Sequence, residues 1–283
     1  VKVLIGITTR NRSAILPKAI ESALAQTYAA KEVAVFDDGS TDETPSLRQS
    51  FPQVKWYEST EHIGLINARN KLMQETDADY YLSLDDDAWF IAGDEIEQGI
   101  RLMEAHPDTA AIAFDILSPD RAAPNPRQAP YQTHLFIGCG HILRLSAVKE
   151  IGYYSSSHGF YGCEEKDLSI RLLDKGYKIT FLPGVHVWHD KTVLARNAEA
   201  QHQSGVFNDL VFTFRRTPTL LLPAILTYRI VTHLQFARKR QLMKPCLGGI
   251  SSFFSAIPKI YTTVQPVGMK AFFEFKQLSQ KKL

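Results

Sequence analysis

The sequence predicts an α/β protein: a mostly parallel sheet flanked by helices, with a helical extension at its C-terminal end. Three observations lead there. Short apolar or β-branched runs alternate with helical periodicity through the first 115 residues, the pattern of β-α units in a parallel sheet. Polar clusters follow three of those runs, at the strand ends where open sheets gather ligands. The charge is also divided: residues 1–214 carry 20 Lys and Arg against 29 Asp and Glu, whereas residues 215–283 carry 12 against one, Glu274.

Strands are expected near residues 2–8, 32–37, 54–58, 80–85 and 110–115. Between them, Ile15, Ala19, Ile20, Ala23 and Leu24 recur at helical spacing, as do Leu65, Ala68 and Leu72 and, more loosely, Ile96, Ile100 and Met103. Pro119, Pro124, Pro126 and Pro130 make residues 118–134 a surface loop. Beyond it, Leu135–Leu145 reads as a strand or buried segment, Glu164–Lys175 as a helix, and Ile179–His189 as extended chain broken by Pro183-Gly184.

With 283 residues, 45% hydrophobic and 22% charged, the chain can bury a sizeable core, which excludes disorder, collagen and a disulfide miniprotein. Cys139, Cys163 and Cys246 form no C-x-x-C pair, which argues against a zinc ribbon or a disulfide framework and for a reducing compartment. No signal peptide is expected at Val1–Ile7, which begins directly as a strand.

The chemistry lies in the polar clusters. Asp85-Asp86-Asp87 ends an apolar strand, and three adjacent carboxylates repel one another unless a cation or hydrogen-bond donors offset them. Hard oxygen donors suit Mg²⁺ or Mn²⁺; a solvated acidic loop is the plainer alternative. In Asp37-Asp38-Gly39-Ser40-Thr41-Asp42, Asp42 can cap the next helix and Gly39 can turn the chain, which leaves the Asp37-Asp38 pair to be explained. A phosphatase-type D-x-D-x-T would need an acid at Gly39, so that reading fails.

Together, Ile7-Thr8-Thr9-Arg10-Asn11-Arg12, Ser22 through Tyr28, Asp37 through Asp42, Gly64 through Asn70 and Asp85-Asp86-Asp87 resemble the family 2 glycosyltransferases, the inverting group with the Rossmann-like GT-A nucleotide-diphospho-sugar transferase fold. The resemblance implies that Thr8, Arg10, Asp38, Arg69, Asp85 and Asp86 serve the nucleotide, with Asp87 and His189 on Mn²⁺ or Mg²⁺. Cys163-Glu164-Glu165-Lys166-Asp167-Leu168 resembles the family's E-D-x-D-L segment, whose second acid is the general base; here that is Glu165, with Glu164 as its rival. Acids in a first helical turn also simply favour the helix N-terminus. His186 competes with His189, but three residues apart on a strand they face opposite ways. Trp89, His158 and Tyr161 are candidates for the acceptor cleft, with core packing an equal account. Gly138-Cys139-Gly140-His141 resembles the small-residue stretch that lets the chain approach the donor sugar.

The expected organisation is a nucleotide-sugar-binding half over 1–115, an acceptor-binding and catalytic-base half over 116–192, and a basic, apolar helical extension over 193–283. Residues 219–237 approach the length of a membrane span, but Pro223, Arg229, His233 and Gln235 interrupt them. With Arg238-Lys239-Arg240 adjoining, the extension reads as an interfacial tail on an anionic membrane surface, placing a cytoplasmic protein peripherally on the inner face; packing on the catalytic domain is the alternative. No nucleic-acid motif accompanies the basic residues, so nucleic acid is not expected as a partner.

The function expected is metal-dependent inverting transfer of a sugar from a UDP- or dTDP-sugar donor to an acceptor hydroxyl on a lipid-linked or cell-surface glycan. A sugar nucleotidyltransferase and a non-catalytic glycan-binding protein are the alternatives.

Overall fold

All seven residues of Val3–Thr9 are buried, as expected of a strand covered by helices on both faces. The computed structural model describes residues 1–155, 162–191 and 198–280. Its strands are β1 (Val3–Thr9), β2 (Lys31–Asp38), β3 (Lys55–Ser59), β4 (Tyr80–Asp85), β5 (Ala88–Phe90), β6 (Thr109–Leu117), β7 (Tyr131–Thr133), β8 (His141–Arg144) and β9 (Lys178–His189). Its helices are α1 (Leu16–Leu24), α2 (Leu47–Ser50), α3 (Leu65–Gln74), α4 (Glu95–Ala105), α5 (Leu145–Glu150), α6 (Glu164–Asp174), α7 (Ala198–Arg216), α8 (Leu222–Arg240), α9 (Met243–Ile260) and α10 (Met269–Gln280).

The strands form one mixed sheet in the order β3-β2-β1-β4-β8-β6-β9-β5, with β7 also on β9. Strands β1–β4, β6 and β9 share one direction, and β5, β7 and β8 oppose it. The parallel register sets Thr8 beside both Phe36 and Asp85, so the polar clusters after β1, β2 and β4 emerge on one edge.

Three details differ from the sequence reading. Strands β5 and β7 have three residues each, too few to show a period, and β7 lies inside the segment expected to be loop. Within 135–145 only His141–Arg144 is strand. Strand β9 continues through Pro183-Gly184: the pairing with β6 slips between Phe114 and Asp115, whose partners are Leu182 and His186, so the intervening residues bulge and Pro183 is not needed as a ladder donor.

One face of the sheet packs against α1 and α4, the other against α3, α5, α6 and α10. Helix α10 therefore belongs to the main core: Phe272, Phe275 and Leu278 are buried there, at about 1.5–3 kcal/mol each. A separate apolar cluster, including Val206, Leu210, Cys246 and Phe253, holds α7, α8 and α9 together. That bundle meets the sheet domain through Phe212, Leu221 and Ile225, which pack against the main core, and through charge. Asp209 on α7 accepts from Lys166 Nζ on α6 (2.8 Å) and, on α8, from Arg229 Nε (2.7 Å), with His233 Nε2 at 3.0 Å. Burial alone would raise the Asp209 carboxyl, but the His233 hydrogen bond and the Lys166 and Arg229 charges outweigh it and hold the group well below the usual carboxylate range. Among the described residues, no helix is long and apolar enough to cross a membrane.

Candidate functional site

The loops after β1 and β2 are sewn together by their own polar side chains. Asn11, at φ +54°, accepts from Thr41 N through Oδ1 (2.7 Å) and donates its own N–H to Ser40 Oγ (2.9 Å). Asp42 accepts from Ser13 N (3.1 Å) and Thr44 N (2.9 Å), so it closes a local turn and links it to the first loop. The helix expected to be capped by it starts after Ser46, with no side-chain cap. Asp37 accepts from Ser40 N (2.9 Å). Asp38 is buried and accepts from Ile63 N (2.7 Å) and Gly64 N (2.9 Å), with His62 Nδ1 at 2.7 Å. Its carboxylate thus shapes the turn that starts α3, where Gly64 takes φ +89°.

The Asp85-Asp86-Asp87 triplet is offset residue by residue. Asp85 accepts from Arg69 (2.6 Å), Asp86 accepts from Thr9 Oγ1 (2.9 Å), and Asp87 lies 3.1 Å from His189 Nε2. Burial pushes the Asp86 carboxyl up to about 7, against the pull of the Arg12 charge and the Thr9 hydroxyl, so near neutrality it relieves part of the repulsion by holding a proton. At the adjoining strand end the Thr8 hydroxyl is buried with no hydrogen-bond partner, an open donor and acceptor beside Asp85.

Arg69 joins the two halves. It is 1% exposed, on α3, and besides Asp85 it reaches the Gly138 carbonyl (3.2 Å) and stands 3.6 Å from Glu165 Oε1 on α6. Burial pushes the Glu165 carboxyl up to about 7, with Arg69 opposing and Glu164 reinforcing the rise. Glu164 behaves differently: both of its oxygens lie 2.6 Å from Gly162 N, which ties it to the backbone before α6. Gly138 leaves the space for this arrangement, since a Cβ there would sit 2.5 Å from Glu165 Oε1 and 3.1 Å from Arg69.

Donor atoms of Asp85, Cys139 and His189 all lie within 4.8 Å of one another, a mixed oxygen, sulfur and nitrogen set able to hold a cation. Cys139 was not singled out by sequence; it sits inside Gly138-Cys139-Gly140-His141, and only the pairing of β8 with β4 brings that stretch to the acidic triplet. His141 is buried and neutral, its pKa pulled down to about 3 by burial, with Nδ1 at 2.9 Å from the Ile137 carbonyl. His186 lies 3.8 Å from Asp115, away from Asp87, as opposite-facing strand positions require. Trp89 stacks on Trp188 (6.3 Å between ring centroids) with Lys18 Nζ over its face at 3.3 Å, and Arg10 is exposed at the end of β1. His158 and Tyr161 lie outside the described residues.

Residues 4–138 match the sequence profile of glycosyl transferase family 2. The match covers just under half of the chain. Over 142 residues, 49% of this chain, the sequence is 28% identical to a glucosyl-dolichyl phosphate glucuronosyltransferase of Haloferax volcanii, and the match spans 45% of that protein's length. The fold resembles S. aureus TarS (residues 1–349) in complex with UDP-GlcNAc, at TM-score 0.67 and 16% identity over 94% of this chain and 82% of that one. It also resembles the mannosyltransferase PcManGT from Pyrobaculum calidifontis in complex with GDP-Man and Mn²⁺, at TM-score 0.62 and 17% identity over 98% and 79%.

The matched segment ends at Gly138, the residue that touches the Arg69–Glu165 pair, so the pair spans its boundary. Gly138→Ala should push Glu165 and Arg69 apart at a cost of about 1–3 kcal/mol. Urea unfolding checks this; an unchanged midpoint would show that the site does not need the missing side chain.

Proposed function

We propose that the protein transfers a sugar from a nucleoside-diphosphate donor, a UDP- or dTDP-sugar in the favoured case, to an acceptor hydroxyl with inversion, using Glu165 as general base. The observation that carries this is the single guanidinium of Arg69 between Asp85 at the donor edge and Glu165 on α6. A carboxyl held near pH 7 can accept a proton from an attacking hydroxyl and exists largely in its basic form just above neutrality. Glu164, with its oxygens bound to the Gly162 amide, is less able to serve.

On the donor side, Thr8, Arg10, Asp38, Arg69, Asp85 and Asp86 are assigned to the nucleotide. The unpartnered Thr8 hydroxyl supports this, while Asp38 acts through the turn it organises. Asp87 and His189, with Asp85 and Cys139 alongside, would hold a divalent ion, and the nitrogen and sulfur atoms favour Mn²⁺ over the harder Mg²⁺. Such an ion supplies positive charge that stabilises a departing diphosphate. Trp89, His158 and Tyr161 are kept as acceptor-side candidates, and the acceptor is assigned to lipid-linked or cell-surface glycans.

The C-terminal helices support peripheral attachment to the inner face of a membrane. Leu220, Tyr228, Phe236, Phe254 and Tyr261 are exposed, and Arg238-Lys239-Arg240 forms the last turn of α8.

Glu165→Gln should lower transfer at least about a hundredfold while the nucleoside diphosphate still binds. In the parent, kcat/KM should fall roughly tenfold per unit below about pH 7, because the base is protonated there. Wild-type turnover in the variant would remove Glu165 from the mechanism. On vesicles, the protein should float with phosphatidylglycerol but not with phosphatidylcholine, and charge reversal of Arg238, Lys239 and Arg240 should abolish flotation; no flotation of the parent would refute the membrane assignment.

A further inference from the structure

Two buried polar side chains lie behind the site. His141 begins β8 with none of its surface exposed, and Tyr154, beyond α5, is 2% exposed. They bond to each other, Tyr154 Oη lying 3.0 Å from His141 Nε2. On the other side of the imidazole, Nδ1 lies 2.9 Å from the Ile137 carbonyl. A carbonyl can only accept, so the proton sits on Nδ1 and the Tyr154 hydroxyl donates to Nε2. Phe136 packs on the imidazole with 4.4 Å between ring centroids.

The stretch that this imidazole grips is the one that meets Arg69 and Glu165. Gly138 and Gly140 leave it conformationally permissive, so its shape must be imposed by its neighbours. Gly140 is held by the sheet: its N–H donates to the Ser83 carbonyl (2.8 Å) and its carbonyl accepts from Phe114 N (3.2 Å). Upstream, the Ile137 carbonyl accepts from His141 and the Gly138 carbonyl accepts from Arg69 (3.2 Å). Because these carbonyls belong to consecutive planar peptides, the orientation of one constrains the other.

Tyr154 closes the circuit. Asn70, next to Arg69 on α3, donates through Nδ2 to the Tyr154 carbonyl (2.9 Å) and accepts the Tyr154 N–H at Oδ1 (3.1 Å). The chain around Tyr154 is fastened to α6 as well. Ser155 Oγ donates to Asp167 (2.8 Å), and Arg171 donates to the Ile151 and Tyr153 carbonyls (2.6 Å each). Tyr154 therefore links the helix of Arg69, the helix of Glu165 and the glycine stretch, and a buried network of this kind fixes one arrangement.

We propose that His141 and Tyr154 are positioning residues for sugar transfer: through the Ile137 carbonyl they hold the Gly138 carbonyl on Arg69, and so fix how that guanidinium is shared between Asp85 and Glu165. This rests on the transferase reading above and gives two buried residues behind the site a part in it.

A ¹³C NMR titration of the Glu165 carboxyl in the full chain tests it, with the signal assigned by Glu165→Gln. Among the described residues, the charged and titratable groups around that carboxyl are Arg69 on α3, Asp85 on β4, Tyr154 after α5, and Cys163 and Glu164 beside it. His141→Leu alters none of these groups and removes the donor to Ile137. With the Gly138 carbonyl released, Arg69 turns more fully to its carboxylates, so the Glu165 midpoint should fall by about half a pH unit or more. Tyr154→Phe should lower it too, since Nε2 loses its donor. His141→Asn, whose amide nitrogen can replace Nδ1 as donor, should restore the parent midpoint. A merely structural role would lower the melting temperature and leave the midpoint unmoved. If His141→Leu does not fold, Tyr154→Phe decides. An unchanged or raised midpoint in folded His141→Leu or Tyr154→Phe, or an Asn variant that behaves like the Leu variant, overturns the proposal. The titration needs no sugar donor, so its failure is distinct from that of the transferase reading, which full turnover by Glu165→Gln would overturn.

Discussion

One buried guanidinium organises the site. Arg69 lies on α3 with 1% of its surface exposed, and it stays charged at any pH the fold survives. It must therefore be met by acceptors, and three come from separated parts of the chain: Asp85 at the end of β4, the Gly138 carbonyl before β8, and Glu165 in the first turn of α6. Removing one partner of such a buried pair typically costs about 3–5 kcal/mol, so the sheet edge and the base helix are held to a common geometry. The same contact explains why Glu165 sits near neutrality: burial drives its carboxyl up, and Arg69 limits the rise.

Around this centre the polar side chains serve the architecture as much as the chemistry. Asn11 bonds with Ser40 and Thr41, and Asp42 accepts from the Ser13 backbone, fixing two loops at one edge. The acidic triplet is relieved by Arg69, Thr9 and His189 in turn. A cation is therefore accommodated by this edge without being the sole answer to carboxylate repulsion.

Much of this was legible in the sequence. Buried parallel strands announce themselves as apolar runs, and the polar clusters at their ends converge because parallel strands share a direction. The opposing strands were less visible: β5 and β7 are too short for periodicity, and the bulge in β9 depends on its pairing with β6. The partners of Asp38, and Cys139 beside His189, depend on contacts distant in the chain that no local spacing encodes. Helix α10 reads as basic and apolar, yet it buries Phe272 and Phe275 in the main core, whereas α8 and α9 keep exposed aromatic residues. Composition alone treats these helices as one tail.

The shared role of Arg69 is tested most directly by a double-mutant cycle on stability with Asp85→Asn, Glu165→Gln and the pair combined. Either single change leaves Arg69 one carboxylate, but the double change leaves it buried with none. The double variant should therefore be less stable than the sum of the singles by about 0.5–3 kcal/mol. Additivity within about 0.3–0.5 kcal/mol would mean that the two carboxylates do not answer to one guanidinium, and would contradict the account.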